Sequence, residues 1–290
     1  MQSDGKPGNA VDRQDENSAM PMTHEGRSLS TLKLEILQFV MRGKTGTLTL
    51  DGPISMKLIA EIERLCEWLE DEKPCTRVVI QGDESHFTRG IDLREFDLGK
   101  VLDIHGFHQW EKVIQSLERL PMMTVAFVRG RCVGAGLHLT LAMDVRVGVD
   151  GATFGLDGVS RGFLPGMATW RLAKFVGLGR ARELSTTGRL LSCEQAANLG
   201  LVDHRVPASA AEQWLEQWLD SLEPLHPEVV ALNRRLLGEC FAVQYEEAIG
   251  NFLAAQHRAI SGPAFKVTVQ EAKGARGQHA IDPAASGGAG

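Results

Sequence analysis

The stretch Met123–Val149, MTVAFVRGRCVGAGLHLTLAMDVRVGV, constrains the fold more than any other. Thr124–Val128 is apolar and β-branched, which suits a buried strand. Gly130, Gly134 and Gly136 follow, where the backbone can bend tightly. Leu137–Met143 is then apolar on nearly every face apart from His138 and Thr140, so it reads as a buried helix, and Val145–Val149 is a second strand. A glycine turn that opens a buried helix leaves backbone N–H groups unpaired at the helix start. Such donors can hold an anionic oxygen, and His138 lies in that first turn. The segment is no dinucleotide fingerprint, because Leu139 stands where a third glycine belongs, and no phosphate loop, because no Gly-Lys-Ser/Thr follows. Alone, it also reads as an ordinary turn, and His138 alone also reads as a core histidine.

The rest of the chain sets this segment in an alternating pattern. Leu32–Val40 and Thr45–Leu50 read as paired strands. Ser55–Glu70 reads as an amphipathic helix with Leu58, Ile62, Leu65 and Leu69 at helical spacing. Val78–Ile80 is a short buried strand, and Gly106–Leu120 a helix with Trp110, Ile114 and Leu117 on one face. Beyond Pro165 the chain turns helical, over Ala168–Val176, Arg180–Thr186, Cys193–Leu199, Ser209–Leu222, Pro227–Cys240 and Tyr245–Ile260. This order predicts an α/β fold with a largely parallel sheet, then helices whose apolar faces need a partner. Residues 1–29 hold no Ile, Phe, Trp or Tyr, and the stretch 274–290 is rich in Gly and Ala, so both are expected to be disordered tails. The expected divisions are therefore a core over 30–206 and a helical region over 207–273.

Composition excludes several classes. A net charge of -6 argues against nucleic acid as a partner. No apolar run of about 18 residues exists, and the N-terminus lacks the basic-then-apolar layout of a secretory signal, so no membrane association is expected. Five scattered cysteines without CxxC spacing read as reduced thiols of a cytoplasmic protein. Cys132, next to the glycine turn, is the one cysteine to weigh as a nucleophile. His105 and His108 have metal-like spacing but no evident third ligand, so a solvated helix face is expected there and no metal.

Three motifs together resemble the crotonase (enoyl-CoA hydratase/isomerase) superfamily. They are SHFTRGIDLREF at Ser85–Phe96, GRCVGAGLHLTLAMD at Gly130–Asp144, and FGLDGVSRGFLPGMATWRL at Phe154–Leu172 followed by LGLVDHRV at Leu199–Val206. The resemblance spans roughly residues 31–265. It implies a crotonase-type ββα spiral core with a helical C-terminal trimerisation region, assembled as a homotrimer or hexamer. It also implies chemistry on an acyl thioester, carried on coenzyme A or on the phosphopantetheine of a carrier protein, with no separate cofactor. The thioester oxygen would sit between two backbone N–H groups that stabilise an enolate. By position these belong to Ile91 and Ala135. Arg89, with Gly90, Gly134 and Gly136 around the two donors, is the candidate contact for the carrier. Arg129 and Arg131 are further cations for its phosphates, and all three arginines read equally as a charged loop facing water.

The departures from the family pattern matter as much. The two glutamates by which a hydratase of this family activates water fall here on His138 and Gly158, with Asp157 adjacent to the second. Positioned acid–base groups contribute about 10²–10⁴-fold, so ordinary hydration at full rate is not expected. His138 and Asp157 are the candidate acid–base groups, and Asp157 reads equally as a turn-capping residue. Two subgroups resemble the chain more than the average hydratase does. One is the decarboxylating crotonases of polyketide β-branching, which lack both glutamates and carry a C-terminal histidine that His257 resembles. The other is the accessory crotonases that assist a type III synthase. Hydratase/dehydratase or isomerase action in secondary metabolism is the leading expectation, with decarboxylation or a non-catalytic subunit of a synthase as alternatives.

Overall fold

The computed structural model describes residues 34–95 and 104–279, so the expected tail at 1–29 and the part of the expected 274–290 tail beyond His279 lie outside the described residues. Six strands form the main sheet, in the order β1 (Gln38–Arg42), β2 (Thr45–Thr49), β3 (Arg77–Gln81), β4 (Met123–Val128), β6 (Val145–Val149) and β9 (His204–Val206). Only β1 and β2 run antiparallel, and every later pair is parallel. A parallel pair needs a crossover. Helix α1 (Met56–Glu72) carries the chain from β2 to β3, and α2 (His105–Arg119) lies between β3 and β4. Leu58, Ile62, Leu65 and Leu69 of α1 are buried, as are Trp110, Ile114 and Leu117 of α2.

Both faces of the sheet are covered, as a parallel sheet requires. Val79, Val125, Phe127, Val147 and Val149 pack with Leu215, Trp214 and Trp218 of α6 (Ala211–Ser221). The alternate residues Val78, Ile80, Ala126 and Val128 are buried too. A second, smaller sheet joins β5 (Arg131–Val133), β7 (Thr153–Gly155) and β8 (Leu191–Ser192). The glycine turn hangs from its end, where Gly134 N–H donates to the Gly155 carbonyl at 2.9 Å.

Two sequence expectations are revised. The first strand begins at Gln38, and Leu32 and Lys33 of its expected span lie outside the described residues. Glu35, Ile36 and Leu37 instead donate their backbone N–H groups to the carboxylate of Glu61, at 2.9, 3.1 and 2.9 Å. Glu61 is fully buried, and three amide donors outweigh its desolvation and hold it below the ordinary glutamate range. The helical region also runs on past residue 273, because α9 spans Pro263–His279.

Helices α7 (Pro227–Glu239), α8 (Tyr245–Ser261) and α9 follow the core. Arg234 ties α7 down. Its guanidinium donates to the Glu118, Leu120 and Met122 carbonyls at the end of α2 and to Asp144 Oδ1 at 2.7 Å. A cation there also complements the negative end of the α2 dipole. No residue of α7 is buried, and in α8 only Ala255 is. Leu237, Phe252, Leu253, Phe265 and Val267 stand exposed.

Candidate active site

Helix α3 begins at Ala135 and runs to Thr140. Gly134, just before it, has φ 61° and ψ -118°, a conformation only glycine adopts without strain. As the first helical residue, Ala135 has an N–H with no partner four residues back. The segment carrying Ile91 runs alongside. Phe87 N–H donates to the Arg131 carbonyl at 2.9 Å and Arg131 N–H to the Ser85 carbonyl at 2.8 Å. A Cβ on Gly136 would stand 3.4 Å from the Thr88 hydroxyl. Ile91 itself forms a parallel bridge with Ile54, in which Ile54 N–H donates to the Gly90 carbonyl and Asp92 N–H donates to the Ile54 carbonyl. In such a bridge the middle residue points its own N–H to the opposite side, so the Ile91 donor is turned away from Ile54. Gly90, at φ 75°, gives its N–H to the Thr88 hydroxyl.

His138 lies one turn into α3 and is buried. The indole Nε1–H of Trp110 lies 3.3 Å from its Nδ1, and Nη1 of Arg171 lies 2.8 Å from its Nε2. Arg171 stands on α4 (Ala168–Thr187), two short helices joined across a break at Gly177. A neutral imidazole has a ring lone pair on only one of its two nitrogens, and here each nitrogen faces a donor. Burial first, and the Arg171 charge second, push the His138 pKa down to about 3. The ring is therefore neutral at every ordinary pH, and its acceptor is engaged.

The sequence reading missed the groups that surround it. Arg171 is buried and its guanidinium is gripped by Glu118, Nε to Oε1 at 2.7 Å and Nη2 to Oε2 at 2.9 Å. Its Nη1 also donates to Glu111 Oε2 at 3.3 Å. Glu111 Oε1 accepts from Met167 N–H at 3.1 Å, and Glu111 Oε2 stands 3.5 Å from His138 Nε2. Glu111 and Glu118 are seven residues apart on α2, two turns along one face. That spacing, flanking the Trp110–Ile114–Leu117 stripe, was the available signal.

On the other side of the turn, Asp157 has its carboxylate Oδ1 3.7 Å from where a Gly134 Cβ would lie. Its Oδ2 accepts from Arg131 at 3.1 Å and from Arg161. Gly158 is closed to any side chain, since a Cβ there would meet the Phe163 carbonyl at 2.5 Å. Arg89 pairs with Asp83 at 2.7 Å, and Arg129 donates to Glu84, Glu212 and the Gly82 carbonyl. Cys132 is fully buried, and burial pushes its thiol far above the ordinary range, which removes it as a nucleophile. His257 stands exposed on α8. Trp170, half exposed, lies under the Lys174 ammonium at 3.3 Å from the ring centroid. Among the described residues no three His, Cys, Asp or Glu side chains are grouped to hold a metal ion, and no helix is long and apolar enough to cross a membrane.

A parallel sheet followed by a glycine turn and a short buried helix defines the crotonase class of fold. The chain matches the Enoyl-CoA hydratase/isomerase family over residues 45–272. It is 30% identical over 215 residues to an enoyl-CoA-hydratase of Amycolatopsis orientalis, covering 73% of this chain and 94% of that one. It is 31% identical over 162 residues to the enoyl-CoA isomerase/hydratase fer4 of Mycosarcoma maydis, covering 54% and 59%. The crystal structure of an enoyl-CoA hydratase from Bacillus anthracis shares the fold, with a TM-score of 0.76 at 24% identity over 82% of this chain and 96% of that one. A Thermobifida fusca structure in complex with CoA has a TM-score of 0.68 at 25% identity, covering 78% and 93%. The protein belongs to the enoyl-CoA hydratase/isomerase family and is an enzyme of that family.

Proposed function

We propose that the protein binds an acyl thioester and stabilises its enolate, with the thioester oxygen held by the N–H groups of Ile91 and Ala135. The observation that carries this reading is that these two residues stand on adjoining segments, Ala135 at a helix start and Ile91 with its N–H turned out of the Ile54 bridge. Fixed donors of this kind are worth most where charge develops during reaction. The Thermobifida fusca relative was solved with CoA bound, which supports coenzyme A as the carrier. Isomerisation or hydration/dehydration is the reaction class, and the replaced glutamates favour a product of secondary metabolism over fatty-acid breakdown. The test is a panel of enoyl, 3-hydroxyacyl and carboxyacyl thioesters, each on coenzyme A and on a carrier protein. Turnover of an enoyl or hydroxyacyl member is expected. Loss of carbon dioxide from a carboxyacyl member would make the enzyme a decarboxylase instead. Tight binding without any turnover would make it an accessory subunit of a synthase.

The assembly belongs to the same reading. Helices α7 and α8 bury only Ala255, and Leu237, Phe252, Leu253 and Phe265 are each exposed. Apolar surface of that extent is normally covered. A homotrimer or a hexamer is expected, and light scattering at micromolar concentration should give three or six times the chain mass of 31.7 kDa. A stable monomer would refute this.

A further inference from the structure

We infer that Glu111 is the proton-transfer carboxylate of this site, and that Arg171 and Met167 hold it in place. The inference rests on the enolate reading above. It starts from two closed positions. At 138 the side chain is an imidazole, and at 158 the Phe163 carbonyl leaves no room for any side chain. A carboxylate serving the enolate must therefore come from another element. Glu111 of α2 reaches the same place, with Oε2 3.5 Å from His138 Nε2, one turn beyond Ala135.

Its setting suits the role. A carboxylate has about four lone-pair sites. Met167 N–H takes one on Oε1 and Arg171 Nη1 takes one on Oε2, so the group is oriented and still has acceptor capacity. The Glu111 side chain is 25% exposed, whereas that of His138 is 2% exposed. The backbone passes over it at Gly166, where a Cβ would press on Oε1 at 3.0 Å. Glu118 on the far edge of Arg171 fixes the guanidinium, and His138 fills the space behind. His138 is the poorer base by geometry, because Trp110 aims a donor at Nδ1 and Arg171 aims one at Nε2, so whichever nitrogen carries the lone pair is occupied. Asp157 is the rival carboxylate, on the Gly134 side, with Oδ2 spent on Arg131 and Arg161.

The step balances without any further reactant. Glu111 takes the proton from the thioester α-carbon, and the C–H electron pair moves onto the carbonyl oxygen held by Ile91 and Ala135. Return of the proton to the α-carbon gives exchange. With a 3-enoyl thioester, whose enolate extends to the γ-carbon, its return there shifts the double bond to the 2-position and gives isomerisation.

The experiment is α-hydrogen exchange of butyryl-CoA in deuterium oxide, followed by mass spectrometry, with butyryl-CoA affinity measured alongside. E111Q is expected to lose roughly 100-fold in exchange rate, the scale of a positioned acid–base group. Its affinity should stay within about threefold, because a group that acts in the transition state leaves ground-state binding alone. E111D, which keeps the charge and the Arg171 pair, should fold like wild type and keep the acidic limb of the pH–rate profile that E111Q lacks. Exchange by E111Q near the wild-type rate would overturn the assignment, as would an exchange rate lost in D157N instead. Binding without exchange by the wild type would defeat the enolate reading itself, a distinct outcome.

Discussion

Replacing Ala135 by proline is expected to lower kcat by about 10²–10³-fold, the usual cost of one oxyanion donor, with little change in stability. Proline lacks the N–H, and the first position of a helix is the one place where that N–H has no helical partner to lose. Ala135 is the first residue of α3, so the substitution deletes a single donor. Ala135→Gly keeps the donor and should stay close to wild type in turnover. The comparison needs thermal melts of both variants beside their rates on the best thioester of the panel. Full activity in Ala135→Pro with an intact fold would show that this amide is not used.

Acidification should destabilise the protein through His138. The ring has an ordinary pKa of 6.5 when unfolded and about 3 when folded, because it is buried and faces Arg171. Between those values the unfolded chain binds more protons, so stability falls as pH falls, by up to about 1.4 kcal/mol per pH unit. From pH 6.5 to 4.5 the loss from this one ring is about 2–3 kcal/mol. For a chain of this size that lowers Tm by roughly 5–10 °C. Glu61, held low by three amides, adds its own loss only as pH falls below its ordinary 4.5. His138→Gln should flatten the slope above pH 4.5 while leaving the steeper acid loss. Equal slopes for wild type and variant in denaturant titrations at pH 6.5, 5.5 and 4.5 would refute this.

Much of the fold was legible because its signals are local. Leu58, Ile62, Leu65 and Leu69 repeat at the helical period and are buried on α1. Thr124–Val128 and Val145–Val149 are runs that only a covered strand tolerates, and both lie inside the main sheet. The glycines around Ala135 marked the helix start before any contact was known. The small sheet of β5, β7 and β8 was not legible, since strands of two or three residues are too short to show a period. The start of the first strand differs because residues 34–37 are apolar enough for a strand, yet the amides of Glu35, Ile36 and Leu37 are claimed by Glu61, more than 20 positions away.

The candidate site divides along the same line. From the sequence alone came the glycine turn and His138 in the first turn, because each is a matter of residue type at a fixed spacing, while Ile91 and Ala135 as candidate donors and the replacement of both family glutamates came from the family resemblance. Tertiary structure decided which charges meet there. Glu111 and Arg171 are 60 residues apart and become partners only when the side chains of α2, α3 and α4 meet around His138. The same packing buries His138 between two donors and so sets its protonation. Spacing along one helix is written in the order of residues. Contact between helices depends on how the sheet beneath them folds, and no local period records it.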